Sequence, residues 1–139
     1  MLHMIHIQAP AAKVYRAIAT LDGLKGWWTT NLDGTCRGRG TLIAQFGDEK
    51  PVMDVVDLLD GEMIKWRCRG GVEEWTDTIL TFELEEKDGV TELLFAHLGW
   101  ADQTDFFAQC NTQWAVYLLS LRDFCEKDAG HPYPDHIKV

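Results

Sequence analysis

The chain holds a single serine, Ser120, and no Gly-x-Ser-x-Gly. That serine falls with Asn111, Gln113, Arg122, Asp123 and Glu126 on the polar side of a long amphipathic segment. A serine nucleophile on a strand-to-helix elbow is therefore excluded. None of the four cysteines, Cys36, Cys68, Cys110 and Cys125, stands at C-x-x-C spacing or beside a histidine in a zinc pattern. Nothing next to any of them would lower a thiol pKa, as Cys–His catalysis requires. Gly38-Arg39-Gly40 lacks the following helix that a phosphate-binding loop needs. Met1 to Gln8 has neither the basic start nor the apolar stretch of a signal peptide. The longest apolar run, Trp114 to Leu119, is far too short to span a bilayer. With its thiols expected to stay reduced, the chain reads as cytoplasmic.

Basic side chains are also scarce. There are 13 against 22 acidic ones, a formal charge of −9. Such a surface repels phosphate backbones and anionic lipid headgroups, so no nucleic acid and no membrane is expected as a partner. Arg37, Arg39, Lys65, Arg67 and Arg69 form the one local exception and read as solvent-facing strand residues balanced by nearby acids. His3 and His6 lie three apart in a strand and point to opposite faces. His131, Asp135 and His136 cluster in a tail, which is not a preformed metal site. No metal and no cofactor is expected.

What is abundant is aromatic: 6 Trp, 6 Phe and 3 Tyr in 139 residues, 46% of the chain being apolar. That length suits one domain, 1–139, with a core that needs no disulfide. Leu2 to Ile7 reads as a strand, followed by Pro10 and a helical run through Val14, Tyr15, Ile18 and Leu21. A second short helix, capped by Thr20 or Asp22, holds Leu24, Trp27 and Trp28. Then the period changes. Asn31 to Gly34 is expected to turn, and strands are expected at Thr35–Arg37, Thr41–Phe46, Val52–Leu59, Met63–Arg69, Trp75–Glu86 and Val90–Leu98. Ile64, Trp66 and Cys68 share one face of their strand, and Leu80, Phe82 and Leu84 one face of theirs. The rest is one long helix, capped by Thr104 or Asp105, with Phe107, Cys110, Trp114, Tyr117, Leu118, Leu121 and Phe124 at helical steps. Gly130 and Pro132 stop it, leaving a polar surface tail from His131 to Val139. The result is α+β: a seven-stranded antiparallel sheet curved around the long C-terminal helix, with two short helices after the first strand.

This order resembles the helix-grip, START-like (SRPBCC) superfamily, whose fold is also that of Bet v-like proteins. Within it the chain is similar to the group named after activators of the heat-shock-protein-90 ATPase. The residues that carry the likeness are Ile7-Gln8-Ala9-Pro10 running into Val14 to Ile18, then Leu24 to Trp28, Trp66, Thr78 to Glu85, Leu93 to His97 with Gly99-Trp100, Trp114, Leu118, Leu121 and Gly130 to Tyr133. The resemblance implies a cavity between the sheet and the C-terminal helix. It also implies a function among those of the superfamily: binding lipids, sterols, hormones or polyketides, or acting as a cyclase or dehydratase.

Read for chemistry, the residues favour binding. His97 shares parity with Leu93 and Phe95, so it faces inward, either as a hydrogen-bonded core histidine or as a polar anchor or acid–base group. Tyr117 has the same two readings. Asp54 or Asp57 faces inward if Val52–Leu59 allows it, and Asp77 shares a face with Trp75 and Ile79, yet no acid–base pair assembles. No catalytic residue is assigned. The candidate ligand-binding set is Trp66, Phe82, Phe95, His97, Phe107, Cys110, Trp114 and Tyr117, projecting between helix and sheet. Trp27, Trp28 and Trp100 are read as a gate or an exposed partner surface. The first expectation is a small apolar or aromatic ligand. A co-chaperone-like module with a protein partner such as a chaperone is the first alternative, and a polyketide cyclase- or dehydratase-type enzyme the second. The oligomeric state stays open, a homodimer included.

Overall fold

Alternation along the strands and one apolar helix stripe decide the architecture. In the computed structural model, which describes residues 1–139, β1 (Leu2–Ile7) leads into α1 (Ala11–Ala19) and α2 (Leu21–Trp27). Then come β2 (Leu32–Gly34), β3 (Thr41–Ala44), β4 (Val52–Leu59), β5 (Met63–Gly70), a 3-10 turn at Glu73–Trp75, β6 (Ile79–Lys87), β7 (Val90–Leu98) and α3 (Asp105–Lys127). The strands form one seven-stranded antiparallel sheet in the order β1-β7-β6-β5-β4-β3-β2. Ile64, Trp66 and Cys68 of β5, Leu80, Phe82 and Leu84 of β6, and Leu93, Phe95 and His97 of β7 all point to the buried face. They pack with Trp114, Leu118, Leu121 and Cys125 of α3. No helix is long and apolar enough to cross a membrane.

The short helices are set by local chemistry. Pro10 precedes α1 in extended conformation, so its missing N–H costs nothing. Thr20 closes α1 and caps α2, its hydroxyl accepting from the Gly23 amide at 3.0 Å. Gly23 lets the two helices touch: a Cβ there would lie 2.5 Å from the Arg16 carbonyl oxygen.

Several local expectations are corrected. Thr35–Arg37 is not a strand, because burial of Leu32 sets the pairing Leu32↔Ala44 and Gly34↔Leu42. Trp75 does not begin β6; it ends the 3-10 turn, and Asp77 after it takes φ 68°. Asp77 therefore leaves the sheet pattern and pairs outward with Arg67 at 2.6 Å. A register shift between Val55 and Asp57 breaks the parity of β4. Asp57 is consequently exposed and Asp54 points outward to Arg69. The hydrogen bond from Arg69 is the main reason the Asp54 carboxyl lies below its usual range. Ser120 does not face solvent. It is buried, and its hydroxyl donates to the Trp27 carbonyl at 2.9 Å while accepting from the His131 amide at 2.7 Å. Trp27 and Trp28 are buried too, so neither is an exposed partner surface.

Candidate ligand-binding cleft

An open cleft of about 200 Å³ lies beside the N-terminal half of α3. One stripe of that helix forms its floor: Phe106, Cys110, Gln113, Trp114 and Tyr117. These positions fall three or four apart and so share a face. Thr104 fixes where the stripe begins. Its hydroxyl accepts from the Phe107 amide at 3.1 Å, capping the helix, and donates to the Glu74 carboxylate at 2.6 Å. That second bond ties the start of α3 to the 3-10 turn, which supplies Val72 and Trp75 to the wall.

A tight turn between β3 and β4 provides Phe46, Glu49 and Pro51. The amides of Phe46 and Glu49 each donate to the other's carbonyl, at 2.8 and 3.1 Å. Gly47 between them takes φ +61°, a left-handed value that glycine adopts freely. Glu49 is thereby held at the rim.

The last wall is the C-terminal tail. The Tyr133 amide donates to the Trp28 carbonyl at 2.9 Å and the Thr30 amide donates to the Tyr133 carbonyl at 3.1 Å. Gln113 and Gln109 donate side-chain N–H groups to the Ile137 and Val139 carbonyls, at 3.4 and 3.2 Å. The Tyr133 ring meets Phe46 edge-on at 5.5 Å, and His136 stacks on Tyr117 at 5.4 Å. A tail of polar composition thus sets two rings into the cleft.

Trp114 sits at the centre of the aromatic set. Its ring stacks with Trp28 at 5.9 Å and with Trp75 at 6.1 Å, and it contacts Phe95 at 4.5 Å. Of the residues expected at a ligand, Cys110, Trp114 and Tyr117 border the cleft. Trp66, Phe82 and Phe95 lie behind it in the core, at most 1% exposed. Phe107 packs edge-on against Trp100 at 5.0 Å. Sequence reasoning did not place Trp75, Phe46, Glu49, Phe106, Tyr133 or His136 here. The aromatic pair Tyr133 and His136 in an otherwise polar tail was the one available signal.

His97 is fully buried and does not border the cleft. Its Nε2 is 2.8 Å from the Thr78 hydroxyl, which donates its own proton to the Trp75 carbonyl at 2.5 Å. The Thr78 oxygen must then accept, so His97 carries its proton on Nε2. Burial, followed by the Met1 ammonium, pushes its pKa down to about 3. It is a neutral core imidazole with no carboxylate partner. In the cleft itself burial pushes the Cys110 thiol up to about 11, the Trp75 indole opposing and the Glu74 and Glu49 charges adding to it. Burial also raises the Tyr117 hydroxyl and lowers His136. The cleft therefore holds a protonated thiol, an uncharged imidazole and one carboxylate. No nucleophile–base pair is assembled among these groups. No group of three or more His, Cys, Asp or Glu converges as metal ligands do.

Comparison with known proteins follows the same lines. A family model described as Activator of Hsp90 ATPase homolog 1-like protein matches residues 8–126. Among solved structures, the Aha1 dimer from Colwellia psychrerythraea is similar at 38% identity and TM-score 0.86, over 94% of this chain and 98% of that one. CalU16 from Micromonospora echinospora is similar in fold at 17% identity and TM-score 0.76, over 91% of this chain and 76% of that one. The protein EF2215 from Enterococcus faecalis is similar in fold at 20% identity and TM-score 0.76, over 99% and 75%. No curated protein matches the chain.

Proposed function

The chain belongs to the Activator of Hsp90 ATPase homolog 1-like protein family, and from that premise we propose that it binds a small, largely apolar molecule in the cleft beside α3. One observation carries this reading. Trp28, Trp75 and Trp114 surround about 200 Å³ of open space, which Trp66, Phe82 and Phe95 do not border. Rings that enclose space and leave it unfilled are how apolar ligand sites are built. Catalysis is not part of the proposal. A cyclase- or dehydratase-type reaction would need His97 working with a carboxylate, and His97 bonds Thr78 instead.

Thermal unfolding against fatty acids, sterols, flavonoids, aromatic polyketides and aromatic amines tests it. A ligand at one hundred times its Kd stabilises the fold by about 2.7 kcal/mol, a shift of several degrees. A Cys110→Trp variant, which fills the floor, is expected to abolish that shift. If no chemical class moves the midpoint, the cleft is not a ligand site.

A second reading concerns protein partners, as the co-chaperone-like side of the family suggests, and a second copy of the chain is the partner a specific observation favours. Strand β1 is a sheet edge and exposes Leu2 at 65% and Met4 at 52%. An edge strand with no lysine, arginine, aspartate or glutamate in it invites pairing. The similar Colwellia protein is a dimer. Sedimentation equilibrium should show a dimer that Met4→Lys dissociates; a monomer at all concentrations would sink this reading.

A further inference from the structure

The charge on the side chains that line the cleft is of one sign. Glu49 is the only charged side chain that lines it. Glu74, bonded to Thr104, stands just behind, and both carboxylates raise the Cys110 thiol through their charge. No lysine or arginine borders the space. Lys50, next to Glu49 in the chain, does not line it. Lys138 on the tail side hydrogen-bonds the Pro134 carbonyl at 3.2 Å and acts on His136 through its charge, but it does not line the space. His136, lowered by burial, is neutral near pH 7. The walls are aromatic, and the face of an aromatic ring carries partial negative charge that attracts cations. The chain as a whole adds −9, a field that draws cations toward an acidic rim.

The indole N–H groups of Trp75 and Trp114 do not point the other way. Neither makes a well-formed hydrogen bond, the Trp75 indole only facing the Cys110 sulfur, and both nitrogens are buried away from the open space. They cannot serve as donors to a bound anion.

We infer that the cleft selects an organic cation: a quaternary ammonium or protonated amine carried on an apolar or aromatic body. The aromatic walls take the body and the cation, and Glu49 at the rim supplies the counter-charge. This inference rests on the ligand-binding reading and deepens it. Fatty acids and other carboxylates, by the same argument, meet no positive partner.

The test compares three probes that share a benzyl group, on the full chain, by calorimetry at low ionic strength: benzyltrimethylammonium, benzyl alcohol and phenylacetate. Benzyltrimethylammonium is expected to bind about tenfold tighter than benzyl alcohol, the size of one exposed-to-buried cation–π contact, with phenylacetate weakest. In Glu49→Gln the ratio of cation to alcohol affinity is expected to fall severalfold. Glu49 is exposed on a turn, so the variant keeps its fold. The inference is overturned if benzyl alcohol or phenylacetate binds as tightly as the cation, or if Glu49→Gln leaves the ratio where it was. Those results would leave the cleft a ligand site of different preference. Binding of none of the three would overturn both this inference and the ligand-binding reading.

Discussion

Ser120→Ala is the most informative perturbation of the cleft's architecture. Helix α2 ends at Trp27, so the last carbonyls of that helix have no partner within it. Two groups from elsewhere satisfy them. The Ser120 hydroxyl donates to the Trp27 carbonyl at 2.9 Å, and the Tyr133 amide donates to the Trp28 carbonyl at 2.9 Å. The same Ser120 oxygen accepts the His131 amide at 2.7 Å, anchoring the tail that carries Tyr133 and His136 into the cleft. Alanine removes both bonds. Leaving the buried Trp27 carbonyl unpaired costs about 1–3 kcal/mol. His131 is exposed, so its amide regains water and adds little. The expected loss is about 2 kcal/mol, and at roughly 4 °C per kcal/mol for a chain of this length the midpoint falls by about 8 °C. Circular dichroism on heating reads the global loss. Amide exchange reads the local one: Tyr133 and His131 should lose protection well before the β6–β7 ladder does. A midpoint within about 1 °C of the parent, with Tyr133 as protected as before, would refute the idea that Ser120 pins the tail.

Three further outcomes follow from the same structure. The pKa of His97 is lowered in the folded state, so between about 6.5 and 3 the unfolded chain binds a proton that the native chain does not. Stability should therefore decline as pH falls through that window and gain nothing from this group above it, and the His97 ring resonances should stay fixed from pH 8 to 5; titration of that ring near 6.5 would contradict its buried, neutral state. Gly23→Ala should destabilise by about 1 kcal/mol or more in urea unfolding, although alanine is the better helix former, because the new Cβ meets the Arg16 oxygen at 2.5 Å and Ala17 Cα at 2.6 Å. A gain in stability would show that the α1–α2 contact yields easily. Cys36, Cys110 and Cys125 have thiols pushed up to about 11 by burial, so a disulfide reagent at pH 8 should label them only after unfolding; rapid labelling of the native chain would be the contrary result.

Much of the fold was legible because its signals are local. The alternation of Ile64, Trp66 and Cys68 in β5 and of Leu93, Phe95 and His97 in β7 needs only the two-residue period of a strand, and both place their residues inward. The stripe on α3 needs only the helical period. The misreadings have other causes. Ser120 looks polar on a helical wheel, but the unsatisfied end of α2 reaches it and draws it into the interior. Asp54 and Asp57 follow a register shift in β4 that no residue type announces. The strand expected from Trp75 begins only at Ile79, because Asp77 at φ 68° breaks the chain away before it.

The cleft was harder to read for a reason that follows from packing. Inward aromatics at the centre of a curved sheet are pressed by the helix and fill their own space, as Trp66, Phe82 and Phe95 do. Open volume survives where the layers part, beside the first half of α3. There the walls come from segments with no common period: the end of α2, the turn around Gly47, the 3-10 turn and the tail. Parity along a strand therefore finds the residues most completely buried, which are the ones a ligand reaches last. Apart from the α3 floor, the rings that border the space lie where regular structure stops, Trp28 just past a helix end, Trp75 ending the 3-10 turn and Tyr133 beyond the last helix. In a chain this rich in aromatics, the rings that close one strand's pattern mark the core, and the rings that interrupt the patterns mark the candidate site.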